Sequence, residues 1–234
     1  MLIHEVNRHR LQRLENTAVI LGVLTLILAL APPALAAKKM KHTVSGADLS
    51  QLDEEVLWVL RDKQADVANT ETAHEGSKVA IDEAKEELKL SKEAKSQAAA
   101  DMKAAKAELT AARKSGDNDR LDLASQQVET MRAVQKDANF RVQWATKQLN
   151  AVKSASTVAM MQVDLATAEL ELANARLLEE QGVAAAANYA VADFEAQRDK
   201  VLATVEKTQI KTDRLQQKAD HARDRFRDRV VEAD

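Results

Sequence analysis

Apolar residues recur in steps of three and four along 121–177: Leu121, Ala124, Val128, Met131, Gln135, Ala138, Val142, Ala145, Leu149, Val152, Ser156, Ala159, Val163, Ala166, Leu170, Ala173 and Leu177. Only Gln135 and Ser156 in this series are polar. A seven-residue repeat turns one helix face toward a partner helix, so the stretch predicts a long coiled-coil helix. The series starting at Leu121 is mostly large and the series starting at Ala124 is almost all Ala. Small side chains at every second seam position let two backbones approach toward the short end of the usual ~8–10 Å separation.

A second stripe runs through Phe140, Trp144, Ala151, Val158, Met161, Leu165, Ala168, Leu172 and Ala175, with Lys147 and Ser154 interrupting it. At 100° per residue it lies opposite the seam. A helix apolar on two sides needs two partners. One reading is that a central helix touches both neighbours within its own bundle. The sharper reading is that the stripe also meets another chain.

Two further seams flank this one. The first runs Ala80, Ala84, Leu88, Ser91, Ala94, Ala98, Met102, Ala105, Leu109 and Ala112. The other runs Ala187, Val191, Phe194, Arg198, Val201, Val205, Thr208, Thr212, Leu215, Ala219, Ala222, Phe226 and Val230. Ser115-Gly116-Asp117-Asn118 reads as a turn, with Gly at the left-handed C-terminal position and Asp or Asn capping the next helix. Gly182 is the second turn signal, with Asn188 as a cap for the third helix. Short loops between long helices force them antiparallel. The expected fold is therefore all-α: an elongated antiparallel three-helix coiled-coil bundle over 51–234, with helices at about 51–114, 118–181 and 185–232. The third helix, starting at Gly182, covers the second stripe and ends near Phe140. Asp48 or Ser50 caps the first helix, ahead of an apolar patch of Leu52, Val56, Leu57, Val59 and Leu60 flanked by Trp58. The pattern weakens over 61–77, where Gly76 is the expected kink.

The N-terminus has a different character. Arg8, Arg10 and Arg13 precede an uncharged apolar run over 18–31, followed by Pro32, Pro33 and Ala34-Leu35-Ala36. Basic region, apolar run and small-residue site in that order make a cleavable signal peptide over 1–36. The run is short for a spanning helix, which needs about 20 apolar residues. The competing expectation is an inner-membrane anchor formed by residues 18–37. Residues 37–50 read as a flexible lead-in containing Lys38, Lys39 and Lys41. The expected location is the periplasm or outside the cell, with membrane contact only through an uncleaved N-terminal segment.

Composition narrows the chemistry. The chain is 30% charged and 3% aromatic, which with heptads indicates long helices and a thin core. A net charge of −3 argues against nucleic-acid binding, which needs a basic surface. The alternating Asp and Arg residues over 220–229 neutralise much of each other's field. There is no cysteine, so no thiol nucleophile, disulfide or lipidated cysteine can form. His42, His74 and His221 lie too far apart in sequence for a local metal motif, and no phosphate-binding loop or nucleophile elbow occurs. No catalytic, cofactor or metal residue is expected. His74 with Gly76 reads as a solvated helix defect rather than a site, and Arg198 in the third seam as a snorkelling side chain or the partner of a Glu.

Over 169–205 the sequence runs through Arg176-Leu177-Leu178-Glu179-Glu180-Gln181-Gly182-Val183, then Asn188-Tyr189-Ala190 and Phe194-Glu195-Ala196. This resembles the hairpin tip of periplasmic adaptor (membrane-fusion) proteins of tripartite efflux pumps. In that family an Arg, a Leu and a Ser at the tip dock onto the outer-membrane channel. Aligned on Gly182 and Tyr189, the Leu position falls on Leu178, the Arg position on Asn174 with Arg176 nearby, and the Ser position on Ala185. With 51–234 read as helix, that family's lipoyl and barrel domains are not expected within this stretch. The same segment also resembles an uncharacterised family of Ala-rich envelope coiled-coil proteins, through Gly182, Tyr189-Ala190, Phe194, Asp199, Lys200 and Val201.

These readings lead to a non-enzymatic exported protein, a coiled-coil spacer or scaffold in the bacterial envelope with a protein partner there, a homo-oligomer being one option. The alternatives are an adaptor-like accessory of an efflux or secretion system and a periplasmic chaperone, the latter disfavoured by the acidic mature chain. The expected interaction residues are Trp144, Val158, Met161, Leu165, Leu172, Arg176, Leu178 and Tyr189.

Overall fold

The computed structural model describes the backbone of residues 40–231 and the side chains as far as Phe226. The signal peptide or anchor, the start of the lead-in and seam residue Val230 lie outside these described side chains. The fold is all-α. Two short helices, α1 (Gly46–Leu49) and α2 (Glu54–Leu57), and a 3-10 turn at Trp58–Leu60 precede α3 (Arg61–Ser115). Then come α4 (Asn118–Glu180), a 3-10 turn at Ala184–Asn188 and α5 (Val191–Val231). At 1.5 Å per residue the 55, 63 and 41 residues of α3, α4 and α5 extend about 82, 94 and 61 Å.

The α3–α4 turn is built from the residues that the local rules demand. Gly116 takes φ +71°, a left-handed conformation that costs a residue with a Cβ about 1–2 kcal/mol. Asp117 is the N-cap of α4, and its Oδ1 accepts a hydrogen bond from the Arg120 N–H at 3.1 Å.

The central helix carries the packing. Every seam position from Leu121 to Leu177 is buried or half-buried, and so is every position of the second stripe from Phe140 to Ala175. The seam meets α3 and the stripe meets α5, while α3 and α5 share no substantial interface among the described residues. Ion pairs and hydroxyls fix the direction. Arg120 meets Glu108 at 2.7 Å, Arg141 meets Glu87 at 2.9 Å, and Lys63 meets Glu169 at 2.7 Å, so α3 and α4 run antiparallel. The polar interruptions in the seams also find partners. Ser156 in the α4 seam accepts from the Ser77 hydroxyl at 2.8 Å, and Ser154 in the stripe lies 2.7 Å from the Thr212 hydroxyl of α5. Continuing that last register brings Phe226 level with Phe140.

Four expectations change. Residues 40–50 are not a flexible lead-in, because Val44 is buried and its segment is hydrogen-bonded to α4 and α5. The first long helix does not start near 51. Asp48 is spent on the Tyr189 hydroxyl, and Ser45 caps α1 by accepting from the Ala47 N–H. As the reading of 61–77 expected, the helix continues past Gly76: α3 runs unbroken from Arg61 to Ser115, and an irregular turn lies ahead of it at Trp58–Leu60. A helical Gly costs only about 1 kcal/mol relative to Ala, and the neighbouring Ser77–Ser156 contact holds the helix on α4. The third helix starts at Val191 and not near 185, because Tyr189 is extended at φ −123°, and Asn188 ends the 3-10 turn rather than capping α5. Ala94 and Ala187, read as seam residues, are exposed.

Ala145 and Ala151 are each 1% exposed, on opposite faces of α4. Overpacking such a site typically costs ~1–3 kcal/mol. Ala145→Leu is expected to lower the melting temperature by several degrees, and Ala159→Leu, at a half-buried position, by less. Ala151→Leu is expected to speed hydrogen exchange in α5 while leaving α3 protected. An Ala145→Leu variant as stable as the parent would show that α3 and α4 do not approach closely there.

Candidate interaction site at the Gly182 end

The α4–α5 turn closes by two backbone bonds, from the Gly182 N–H to Glu179 O and from the Val183 N–H to Leu178 O, both 3.1 Å. With Gly182 at φ +64° this is a Schellman motif, and its usual apolar contact pairs Val183 with Leu178. Leu178 is 0% exposed, in one cluster with Val44, Leu172, Ala175 and Phe194. Burying a side chain of the size of Phe194 contributes about 1.5–3 kcal/mol. His42 and Tyr189 both set their rings against Phe194, at centroid distances of 5.8 and 6.3 Å.

Residues 42–52 cross this cluster as a strap. Gln197 clamps the His42 backbone at both ends: its Oε1 accepts from the His42 N–H at 2.9 Å, and its Nε2 donates to the His42 carbonyl at 3.0 Å. The Val44 N–H donates to the Glu171 carboxylate at 2.8 Å. The Ser45 N–H donates to the Tyr189 hydroxyl at 3.1 Å, and that hydroxyl donates to Asp48 Oδ2. Leu49 and Leu52 add apolar cover to the same cluster. The side-chain Oδ1 of Asn174, a residue 6% exposed, has no hydrogen-bond partner.

A cleft of about 370 Å³ also lies against the last turns of α4. Val59, Leu60 and Lys63 form its wall on the α3 side. Glu169, Leu172, Ala173, Arg176, Leu177 and Glu180 of α4 line it, with Arg198 of α5. Lys63 bridges to Glu169 and Arg176 to Glu195. Trp58, 59% exposed, carries the Arg61 guanidinium 3.9 Å over its ring.

Two side chains in this region titrate away from their ordinary values. The hydrogen bond to Glu169 raises the Lys63 ammonium, against an opposing effect of burial. The hydrogen bond to Asp48 raises the Tyr189 phenol, against the opposing bond from the Ser45 backbone. Both folded-state pKa values lie above the unfolded ones, so both contributions to stability are full below about pH 10 and fade as pH rises through the folded values.

The structure gathers only some of the residues singled out in the sequence. Leu172, Leu178 and Tyr189 meet in the strap-covered cluster, and Arg176 is exposed on the cleft side. Trp144, Val158, Met161 and Leu165 lie along α4 on its α5 face, buried or half-buried. Trp144 is about 51 Å from Leu178 along the helix axis. Leu178 is enclosed by its own chain, so in this conformation it has no surface to offer a channel. The strap residues His42, Val44, Ser45 and Asp48, and their holders Glu171 and Gln197, were not legible as a site. The one local signal was Val44, an apolar residue in a polar segment. His74 is half-buried on α3 with its Nδ1 unpartnered, and no group of His, Asp and Glu among the described residues is arranged to hold a metal. None of the helices among the described residues is long and apolar enough to cross a membrane.

No protein-family model matches the chain, and no curated protein or solved structure does either.

Gln197→Ala is expected to speed amide exchange at His42, Val44 and Ser45 about tenfold, with the α3–α4 interface unchanged; equal exchange in both proteins would mean that the clamp does not hold the strap. Tyr189 is the single tyrosine, so its ionisation can be read directly by ultraviolet absorbance. Its midpoint is expected above 10 and should fall in Asp48→Asn. An unchanged midpoint in that variant would remove the carboxylate as the cause.

Proposed function

We propose that the chain is a non-enzymatic, exported structural and interaction protein: an elongated antiparallel three-helix coiled coil that serves as a spacer or scaffold in the bacterial envelope. The observation that carries this reading is the central 63-residue helix, packed along opposite faces by two neighbours. A heptad seam of this length is a device for holding two ends apart. The basic, apolar and small-residue order over 1–36 supports export. The dispersal of titratable residues along solvated helix faces supports a role in binding rather than chemistry. A protein partner would meet the helix ends or the exposed outer faces, since the second stripe of α4 is taken up by α5.

Small-angle scattering of residues 37–234 tests the spacer reading. A rod as long as α4 has a radius of gyration of about 27 Å, and a compact chain of this size about 16 Å. The larger value is expected, and the smaller one would overturn the spacer. Crosslinking in intact cells is expected to join the chain to an envelope protein. Recovery of the chain with its leader intact in the cytoplasmic fraction would overturn export.

A further inference from the structure

Exposed large apolar side chains are scattered singly over the described residues, from Val79 to Ile210, except at one place. Trp58 and Val59, 59% and 71% exposed, stand side by side in the 3-10 turn ahead of α3. A lone exposed apolar residue needs no explanation, whereas adjoining ones form a patch. Leu60, the third residue of the turn, is 2% exposed and pins it to the fold. At three residues per turn, Val59 and Trp58 are rotated about 120° and 240° from Leu60, so burying Leu60 turns both outward. Exposed Trp side chains of this kind serve as anchors in protein interfaces.

Charge selects what the patch can meet. Glu54 and Glu55 precede Trp58 by one helical turn and Asp62 follows it by one, so all three share its surface. They are exposed, as is Asp53, and none of the four side chains has an ion-pair or hydrogen-bond partner among the described residues. The nearby cations are already engaged. Arg61 stacks on the Trp58 ring, and Lys63 is held by Glu169 and Asp66. Over residues 46–62 the chain carries five carboxylates and one cation. On the cleft side Arg176 is paired with Glu195 and Arg198 with Asp199, while Glu180 adds a further carboxylate. Such a field repels an anionic lipid or nucleic-acid surface and draws in a cationic one.

We propose that Trp58 and Val59 form the docking surface for a basic segment of a partner protein, with Lys or Arg residues flanking an apolar side chain. The apolar side chain packs on Trp58 and Val59, and its flanking cations meet Asp53, Glu54, Glu55 and Asp62. This deepens the proposed function, resting on its reading of a protein partner but not on the rod. A failed titration beside a rod in scattering would remove this partner and leave the spacer standing.

The test titrates the full chain into a fluorescein-labelled helical peptide of Leu and Lys and follows its anisotropy. One saturable site is expected, with a Gly and Lys peptide bound about tenfold more weakly and a Leu and Glu peptide unbound. Trp58→Ser and Glu55→Lys are each expected to weaken binding about tenfold, with helicity by circular dichroism unchanged. Glu206→Lys makes the same charge change at an exposed position of α5 and is expected to bind like the parent, which separates the patch from net charge. If Trp58→Ser loses helix, Val59→Ser, at the more exposed position, decides in its place. Lack of saturable binding, equal affinity for the Gly and Lys peptide, equal losses in Glu206→Lys and Glu55→Lys, or parental affinity in Trp58→Ser would each overturn the proposal. So would association with phosphatidylglycerol vesicles that Trp58→Ser abolishes, without binding of the peptide, which would assign the patch to a membrane surface.

Discussion

The array depends on the close approach that Ala permits on both faces of α4. Ala145 lies toward α3 and Ala151 toward α5, and both are almost completely excluded from solvent. Because α3 and α5 do not pack substantially on each other, each is held chiefly by its own face of α4. Dispersion and apolar burial are short-ranged, so a gap of even an ångström along either seam would forfeit much of the gain. The ion pairs along the outer faces are worth about 0–1 kcal/mol each and decide little of the stability. What they and the paired hydroxyls decide is register. Ser156 pairs with Ser77 and Ser154 with Thr212, and a slip along an Ala-rich seam would cost both contacts, although Ser77 and Thr212 also bond carbonyls of their own helices.

The two ends of α4 are built differently. At Gly116 a short turn returns the chain, with buried Ala112 and Ala124 and the Arg120–Glu108 ion pair beside it. At Gly182 the turn is thickened by a 3-10 segment, a Phe-centred cluster and a strap from the far N-terminal side of the fold. The strap is held mostly through its backbone, by side chains of Glu171, Gln197 and Tyr189. That arrangement fixes the strap at the Gly182 end, about 94 Å of helix away from the Gly116 turn. A strap fixed at one end makes the two ends of α4 different in construction.

Much of the fold was legible in the sequence, because a heptad seam is a local pattern with a geometric consequence. The spacing of Leu, Val and Ala over 121–177 specifies which face of α4 is buried whatever the partner is, and Gly116 and Gly182 mark where φ must turn positive. The two-faced character of α4 was readable for the same reason. The site was much less legible. Leu172, Leu178 and Tyr189 stood out by type and position, but their roles as members of an enclosed cluster did not.

Sequence alone therefore determined the helical class, the buried faces of the long helices and the turns between them, since each follows from contacts a few residues apart. Only the tertiary structure decided that residues 42–52 form a strap, that Arg198 opens on a cleft, and that the first long helix starts only at Arg61. Each of these depends on groups more than a hundred residues apart, or on packing that outweighs a local propensity of about 1 kcal/mol. His42 and Gln197 are 155 positions apart, and Val44 and Glu171 are 127 apart. No periodicity in a sequence encodes such pairings, because the energy that selects them exists only once the helices have packed.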